Sequence, residues 1–98
     1  MTIREIAEVL RGVYDPELGV DIVSLGLVYG IDIFDGGVHV AMTMTTPSCP
    51  MGSVIVSGVE DALRFAFPGS PVDVRVVQEP AWEIWMIDVA TKARLRIR

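Results

Sequence analysis

The stretch from residue 38 to residue 67 changes from a period of two to a helical period, and this change constrains the fold most. In "VHVAMTMT" (residues 38–45) one face carries only valine and methionine and the other is mixed, which is typical of a strand with one buried face. In "PMGSVIVSGVEDALRFAF" (residues 50–67) apolar residues instead recur every three or four positions. We therefore predict a strand that is followed at once by an amphipathic helix.

The remaining segments supply two strands and two more helices. "TIREIAEVLRGV" (residues 2–13) predicts an amphipathic helix that opens with a capping box. "LVYGIDIF" (residues 27–34) forms a hairpin with the strand after it, because Asp35-Gly36-Gly37 is a good turn sequence. "VDVRVVQ" (residues 72–78) predicts a third strand, and a last helix is expected from about Asp88. "YDPELGVDIVSLG" (residues 14–26) is predicted to be an ordered loop with a short helical turn.

The element order helix-strand-strand-helix-strand-helix predicts the class α+β, with two layers and a three-stranded sheet. We expect residues 1–98 to form a single domain with the helices mostly on one face of the sheet. The third strand pairs either parallel beside the second strand or antiparallel beside the first, and the sequence leaves both orders open. The predicted core consists of the apolar residues on the inner faces: Val40, Met42, Val54, Ile55, Val59, Leu63, Val74 and Val76.

Cys49, the only cysteine, lies at the junction where the strand pattern gives way to the helix pattern. Thr46 and Cys49 each precede a proline, which holds both out of the α region. An N-cap residue needs that geometry, so we predict that Cys49 caps a helix beginning at Pro50. The helix dipole lowers the pKa of a thiol at this position and favours the thiolate, which is both a nucleophile and a metal ligand. The alternative interpretation is that Cys49 is a small apolar residue packed beneath a tight turn.

Other polar residues could complete a site around the thiol. Asp15 and Glu17 flank Pro16 in a constrained loop, where a carboxylate can accept a proton, cap a helix, ligate a metal or simply be solvated. Thr45 and Thr46 carry hydroxyls beside the cysteine and, as strand neighbours, point to opposite faces. One of them can line a pocket while the other ties the turn.

The hairpin permits the loop of residues 15–18 and the turn of residues 45–49 to lie side by side. Its first strand starts, after the loop, at the end where its second strand finishes. A carboxylate near the Cys49 thiol would raise the pKa of that thiol, and a bound cation would relieve the conflict by stabilising both anions. We therefore predict one metal-favouring site that contains Asp15, Glu17 and Cys49.

Composition excludes several classes of function. The net charge is −5, and four of the eight basic residues lie among the last seven positions, so the rest of the chain is strongly acidic. This acidic charge argues against a nucleic-acid-binding surface, including that of a KH-like RNA module. The sequence has no apolar run long enough for a membrane span and no signal peptide, and a single cysteine cannot form an internal disulfide. We therefore expect a cytoplasmic protein that uses neither membrane nor nucleic acid.

Three further side chains have less specific interpretations. His39, the only histidine, is expected to be an exposed strand residue rather than a metal ligand. Trp82 and Trp85 are expected to anchor the core or an interface. If both are exposed, they indicate a dimer or partner surface.

Three motifs together resemble the iron–sulfur cluster assembly domain family: "DPELGVDIVSLGLVYGI", "VAMTMTTPSCPMG" and "EPAWEIWM". The family includes SufT-like and PaaD-like bacterial proteins and a component of the eukaryotic cytosolic targeting complex, and the resemblance covers essentially the whole chain. It implies a compact, often dimeric α+β domain that helps to mature iron–sulfur proteins. The functional positions it implies here are Asp15, Glu17, Leu18, Thr45, Thr46 and Cys49.

The resemblance implies an assembly factor that binds an iron–sulfur cluster or iron transiently, with Cys49 as the metal ligand, and delivers it to client proteins. The expected partners are iron–sulfur client or scaffold proteins and a second copy of the chain, since two chains can supply two cysteines. The cysteine-rich C-terminal segment of PaaD-like proteins is absent from the sequence, which favours a stand-alone factor. The alternative is a small thiol-dependent enzyme with Cys49 as nucleophile and Asp15 or Glu17 as proton acceptor.

Overall fold

The computed structural model describes residues 1–45 and 52–95. In chain order its elements are α1 (Ile3–Leu10), β1 (Tyr14–Asp15), β2 (Val20–Asp21), β3 (Val28–Phe34), β4 (Gly37–Met42), α2 (Gly52–Ala66), β5 (Val72–Val76), a 3₁₀ turn (Ile84–Met86) and α3 (Val89–Leu95). The predicted α+β class with a three-stranded sheet is confirmed. The segment predicted as a loop also contains a short hairpin, β1–β2. The predicted short helical turn follows Asp21, where the Leu25 N–H donates to the Asp21 carbonyl at 3.1 Å. In the described ranges no helix has the length and apolar character needed to cross a membrane.

The strand order β3-β4-β5 decides between the two arrangements that the sequence allows. β3 and β4 form the predicted antiparallel hairpin, whose turn places Asp35 at φ 53° and Gly36 at φ 72°. β5 lies parallel to β4, with Val40 opposite Val74. Parallel neighbours need a crossover, and α2 supplies it, because the chain leaves the end of β4, returns through the helix and re-enters the sheet alongside β4.

The core lies between α1, α2 and one face of the sheet. Val38, Val40 and Met42 are buried on that face of β4, as their alternation predicts. The helices contribute a matching stripe of buried residues at helical spacing: Ile6 and Leu10 from α1, and Ile55, Val59 and Leu63 from α2. The strand register and the inner face of α2 are therefore confirmed.

Two members of the predicted core lie outside it. Val54 is 54% exposed, because Ile55, Val59 and Leu63 turn the centre of the α2 stripe toward the sheet and leave Val54 on the solvent side. Val76 is 43% exposed, because β5 is an edge strand and Val76 is its last residue. Val74, in the middle of the same strand, is partly buried.

The opposite face of the sheet carries polar side chains. Asp32, His39 and Asp73 lie in one row across β3, β4 and β5. The His39 imidazole Nδ1 lies 3.4 Å from the Asp73 carboxylate, and 40% of the His39 side chain is exposed. His39 is thus the exposed strand residue that its position predicts.

Side-chain caps begin the first and last helices. The Thr2 hydroxyl accepts a hydrogen bond from the backbone N–H of Glu5 at 3.1 Å, as the capping-box spacing predicts. The Asp88 carboxylate accepts one from the backbone N–H of Thr91 at 2.7 Å, so α3 starts directly after Asp88. Both predicted helix starts are confirmed.

The segment of residues 80–88 packs on the residues that lead into β3. The Tyr29 hydroxyl donates to the Pro80 carbonyl at 2.7 Å, and the Asp88 N–H donates to the Ser24 carbonyl at 2.9 Å. Gly26, at φ 77°, lies so close to Met86 that a Cβ built on it would overlap the Met86 carbonyl. Only glycine fits this position, because it combines a left-handed backbone with the absence of a side chain.

Candidate functional site

The Asp15 carboxylate is turned into the hairpin that carries it. Asp15 is only 3% exposed, and its Oδ1 accepts hydrogen bonds from the backbone N–H groups of Glu17 at 2.8 Å and Leu18 at 3.1 Å. Its carbonyl accepts a third from Gly19, which has φ 66° and lets the chain turn back into β2. Asp15 therefore fixes the shape of the loop. The side chains of Glu17 and Leu18 are exposed at its tip.

Aspartate before proline is itself the signal for this turn. An aspartate side chain commonly bonds to backbone N–H groups two and three residues further on, and Pro16 restricts Asp15 to an extended conformation that suits this bonding. The observed contacts show that Asp15 caps its own turn, and its burial excludes the solvated alternative; a role as proton acceptor or metal ligand stays a prediction. A capping carboxylate still has a second oxygen that is not used by these two bonds.

The segment that leads from β4 to Cys49 begins with Thr43, which is hydrogen-bonded to Leu27, the residue before β3. The backbone N–H of Thr43 donates to the Leu27 carbonyl at 2.8 Å, which extends the β3–β4 pairing past Met42. Thr45 follows and is partly exposed. The end of β4 therefore lies beside Leu27, which leads into β3, and the approach of the loop of residues 15–18 to residues 45–49 stays a prediction.

α2 packs near both the chain before the Asp15 hairpin and the last part of the β4 segment. A Cβ built on Gly58 would lie 3.5 Å from Cγ1 of Val13, the residue that precedes β1. At the start of the helix, a Cβ on Gly52 would lie 3.7 Å from the sulfur of Met44. The helix that follows the cysteine thus touches both the chain before the Asp15 hairpin and the last part of the β4 segment.

Thr46 and Cys49 lie outside the described residues, and so does the predicted helix start at Pro50. The shared site of Cys49 with Asp15 and Glu17 therefore stays a prediction. Within residues 1–45 and 52–95, no three histidine or acidic side chains are grouped so that they could hold a metal ion.

Beside Thr45 the structure contains a small cavity of about 80 Å³ that the sequence did not predict. It lies over the ends of β4 and β5 and is lined by Met44, Thr45, Val76, Gln78, Ala81 and Trp82. The Trp82 indole N–H donates to the Leu25 carbonyl at 2.7 Å, which fixes one wall. Trp82 packs against the core, whereas Trp85 is 69% exposed, so an interface role for Trp85 stays a prediction.

The fold described above is shared with a known class of protein. The family model described as "Iron-sulfur cluster assembly protein" matches residues 3–76, and the chain belongs to this family, as the sequence motifs suggested.

Similar proteins are known from several bacteria. The chain is 45% identical over 74 residues to the Fe-S protein maturation auxiliary factor YitW of Bacillus subtilis, covering 74% of this chain and 72% of the relative. It is 41% identical over 86 residues to the Fe-S protein maturation auxiliary factor SufT of Staphylococcus aureus, covering 87% and 98%. The crystal structure of a Bacillus anthracis domain of unknown function superposes with a TM-score of 0.91 at 39% identity, covering 97% of this chain and 92% of that one.

Proposed function

We propose that this chain acts as a single domain of residues 1–98 in the cytoplasm, as an iron–sulfur protein maturation factor. Its cargo is iron or an iron–sulfur cluster, bound transiently through Cys49 and passed to client proteins. The observation that carries the proposal is the match to SufT, an Fe-S protein maturation auxiliary factor, over 98% of that protein's length. The family match over residues 3–76 contains both the Asp15 loop and the Cys49 turn.

The described geometry supports a division of roles among the proposed site residues. Asp15 shapes the loop through its bonds to the N–H groups of Glu17 and Leu18. Glu17 and Leu18 are exposed at the tip, where a carboxylate can approach the cargo and an apolar side chain can contact a client. Thr45 lines the cavity beside the end of β4. We propose that Thr46 and Cys49 complete this site from the turn that follows.

A single thiolate suits a carrier better than a permanent holder. A whole iron–sulfur cluster takes four thiolate or equivalent protein ligands, so one cysteine leaves coordination positions that a client's cysteines can occupy. Ligand exchange then moves the cargo toward the protein that offers more thiolates. A site at a helix N-terminus favours the thiolate that begins the exchange.

Anaerobic reconstitution with ferrous iron and sulfide tests the proposal. The wild-type chain should gain iron and visible absorption that Cys49→Ala abolishes, and it should restore activity to an apo-client such as apo-aconitase. Cys49→Ser is the matched control, because it keeps the size of the side chain while removing the thiolate. Equal iron loading of the wild type and Cys49→Ala would refute the ligand role. Metal-free turnover of a thioester that depends on Cys49 would instead support the enzymatic alternative.

A further inference from the structure

The outer edge of β5 offers unused backbone hydrogen-bonding groups. In the described part of the chain, β5 pairs only with β4. The Val77 N–H donates to the Met42 carbonyl and the Pro71 carbonyl accepts from Val38, so the odd-numbered residues point their backbone groups toward β4. Because this direction alternates along a strand, the N–H and C=O groups of Val72, Val74 and Val76 point away from the sheet.

The side chains of β5 have a pattern that is complementary to itself. Asp73 and Arg75 lie on the open face of the sheet, on either side of the position of Val74. Arg75 is exposed and has no ion pair within the described residues. On the other face, Val76 is 43% exposed at the end of an apolar row. The unpaired backbone groups of an edge strand are a template for pairing with another strand, and the opposite charges of Asp73 and Arg75 allow a copy of β5 itself to be that strand.

We propose that a second copy of this chain pairs antiparallel with β5, with Val74 on the two-fold axis. In this register the two Val74 residues exchange both N–H···O bonds, and Val72 of each copy exchanges both with Val76 of the other. Asp73 of each copy lies opposite Arg75 of the other, and each Val76 lies opposite a Val72. The two three-stranded sheets become one continuous sheet through an isologous contact.

Charge selects this register from its neighbours. Shifting the pairing by two residues in one direction keeps the backbone bonding pattern but places Asp73 opposite Asp73. The same shift in the other direction places Arg75 opposite Arg75. Like charges directly opposite each other are destabilising, whereas opposite charges are stabilising. A one-residue slip is excluded because it would oppose outward-pointing backbone groups with inward-pointing ones.

The proposed dimer does not bring two Cys49 turns together. β4 is parallel to β5, so in an antiparallel pair of β5 strands the two β4 strands run in opposite directions. Each Cys49 turn therefore begins at its own end of the joined sheet, and each copy keeps a separate site. The dimer and the iron-binding proposal are consequently independent, and either can fail without the other.

Sedimentation equilibrium on the full, metal-free chain tests the pairing by charge reversal. The wild type should approach twice its 10.7 kDa mass with rising concentration. Arg75→Asp and Asp73→Arg each place like charges opposite each other twice, so each should raise the dissociation constant at least about tenfold. The double variant D73R/R75D restores both opposite-charge pairs and should recover the dimer. A mixture of the two single variants should form heterodimers, because one carries only acids and the other only arginines at these positions.

Asp32→Arg is the matched control, because Asp32 lies in the same row as Asp73 but on β3, at the far edge of the sheet. It makes the same charge change beside His39 and should leave the dimer unchanged. Circular dichroism of each variant establishes that it is folded. A wild-type chain that stays monomeric at every soluble concentration overturns the proposal. A dimer that the single reversals do not weaken, or that the double variant does not restore, overturns it equally.

Discussion

The indole N–H of Trp82 donates to the backbone carbonyl of Leu25, 57 positions earlier in the chain, at 2.7 Å. This bond joins two sequence motifs that the family resemblance had connected only by their order. Leu25 is buried, and its carbonyl lies in the turn that leads from the Asp15 hairpin into β3. The segment after Pro80 therefore supports the part of the chain on which the proposed site is built.

Trp82→Phe should destabilise the protein by about 1–3 kcal/mol, because phenylalanine keeps most of the ring but leaves the Leu25 carbonyl without its donor. Urea unfolding followed by circular dichroism measures the loss. Trp85→Phe is the control: Trp85 is 69% exposed, so its replacement should change stability by less than about 0.5 kcal/mol. Equal losses for the two variants would mean that the Trp82 bond contributes nothing specific.

Gly26→Ala and Gly36→Ala separate two costs of adding a methyl group. Both glycines have positive φ, at 77° and 72°, so each variant incurs the left-handed backbone cost of about 1–2 kcal/mol. A Cβ on Gly36 meets nothing within 4 Å, whereas one on Gly26 lies 2.8 Å from Met86 Cβ and overlaps the Met86 carbonyl. Gly26→Ala should therefore lower the free energy of unfolding, measured in urea, by a further ~1–3 kcal/mol. Similar losses at the two positions would contradict the close approach.

Asp15→Asn and Asp15→Ala should separate the loop-shaping role of this residue from any contact with cargo. Asparagine keeps a carbonyl oxygen for the N–H groups of Glu17 and Leu18, whereas alanine leaves both donors without it and should cost about 1–2 kcal/mol. If the carboxylate also stabilises bound iron, Asp15→Asn will be as stable as wild type but will load less iron during reconstitution. Full iron loading by Asp15→Asn would restrict Asp15 to a structural role.

Asp88 should give α3 a stability that depends on pH. The Thr91 hydroxyl and then the Thr91 backbone N–H donate to its carboxylate, and these bonds hold the pKa of Asp88 below its usual value of 3.8. A carboxyl whose pKa is lower in the folded state contributes stability above its unfolded pKa and loses it as the pH falls through its folded pKa. The stability difference between wild type and Asp88→Ala should therefore shrink as the pH is lowered below 3.8.

Thr91→Val tests the cause of that shift. Thr91 is buried, and valine keeps its shape while removing only the hydroxyl. An NMR titration of the Asp88 carboxyl carbon should show its pKa move back toward 3.8 in this variant. An unchanged titration would assign the shift to the remaining causes, which are the Thr91 backbone N–H, the Ser24 side chain and the charge of Arg11.

Periodicity predicted most of the fold because burial follows it along each element. Val40 and Met42 could be placed inside from the alternation of β4, and Ile55 and Leu63 from the helical spacing of α2. The same patterns failed at Val76, because alternation tells which face a residue occupies and not whether the neighbouring chain covers it. β1 and β2 have two residues each, too few to show any period.

The candidate site was predictable in part. Hairpin geometry predicts that the end of β4 lies beside the residues that lead into β3, and the Thr43–Leu27 hydrogen bond confirms this. The approach of the Asp15 loop itself stays a prediction. The burial of Asp15 was not foreseen, because Asp15-Pro16 signals a capped turn but does not show that the rest of the fold covers it. The cavity beside Thr45 depends on Trp82, which reaches it only through tertiary packing.

The bonds from residues 80–88 to residues 22–29 have a consequence for how this chain can be shortened. The family match ends at residue 76, and a boundary chosen there would look natural for a minimal fragment. Such a fragment would lose the partners of the Tyr29 hydroxyl and of the Ser24 and Leu25 carbonyls, and would uncover the surface of Gly26. The last residue of the family match is therefore not the boundary of the folded unit, and in a fragment cut there the turn between the Asp15 hairpin and β3 would be the first part to loosen.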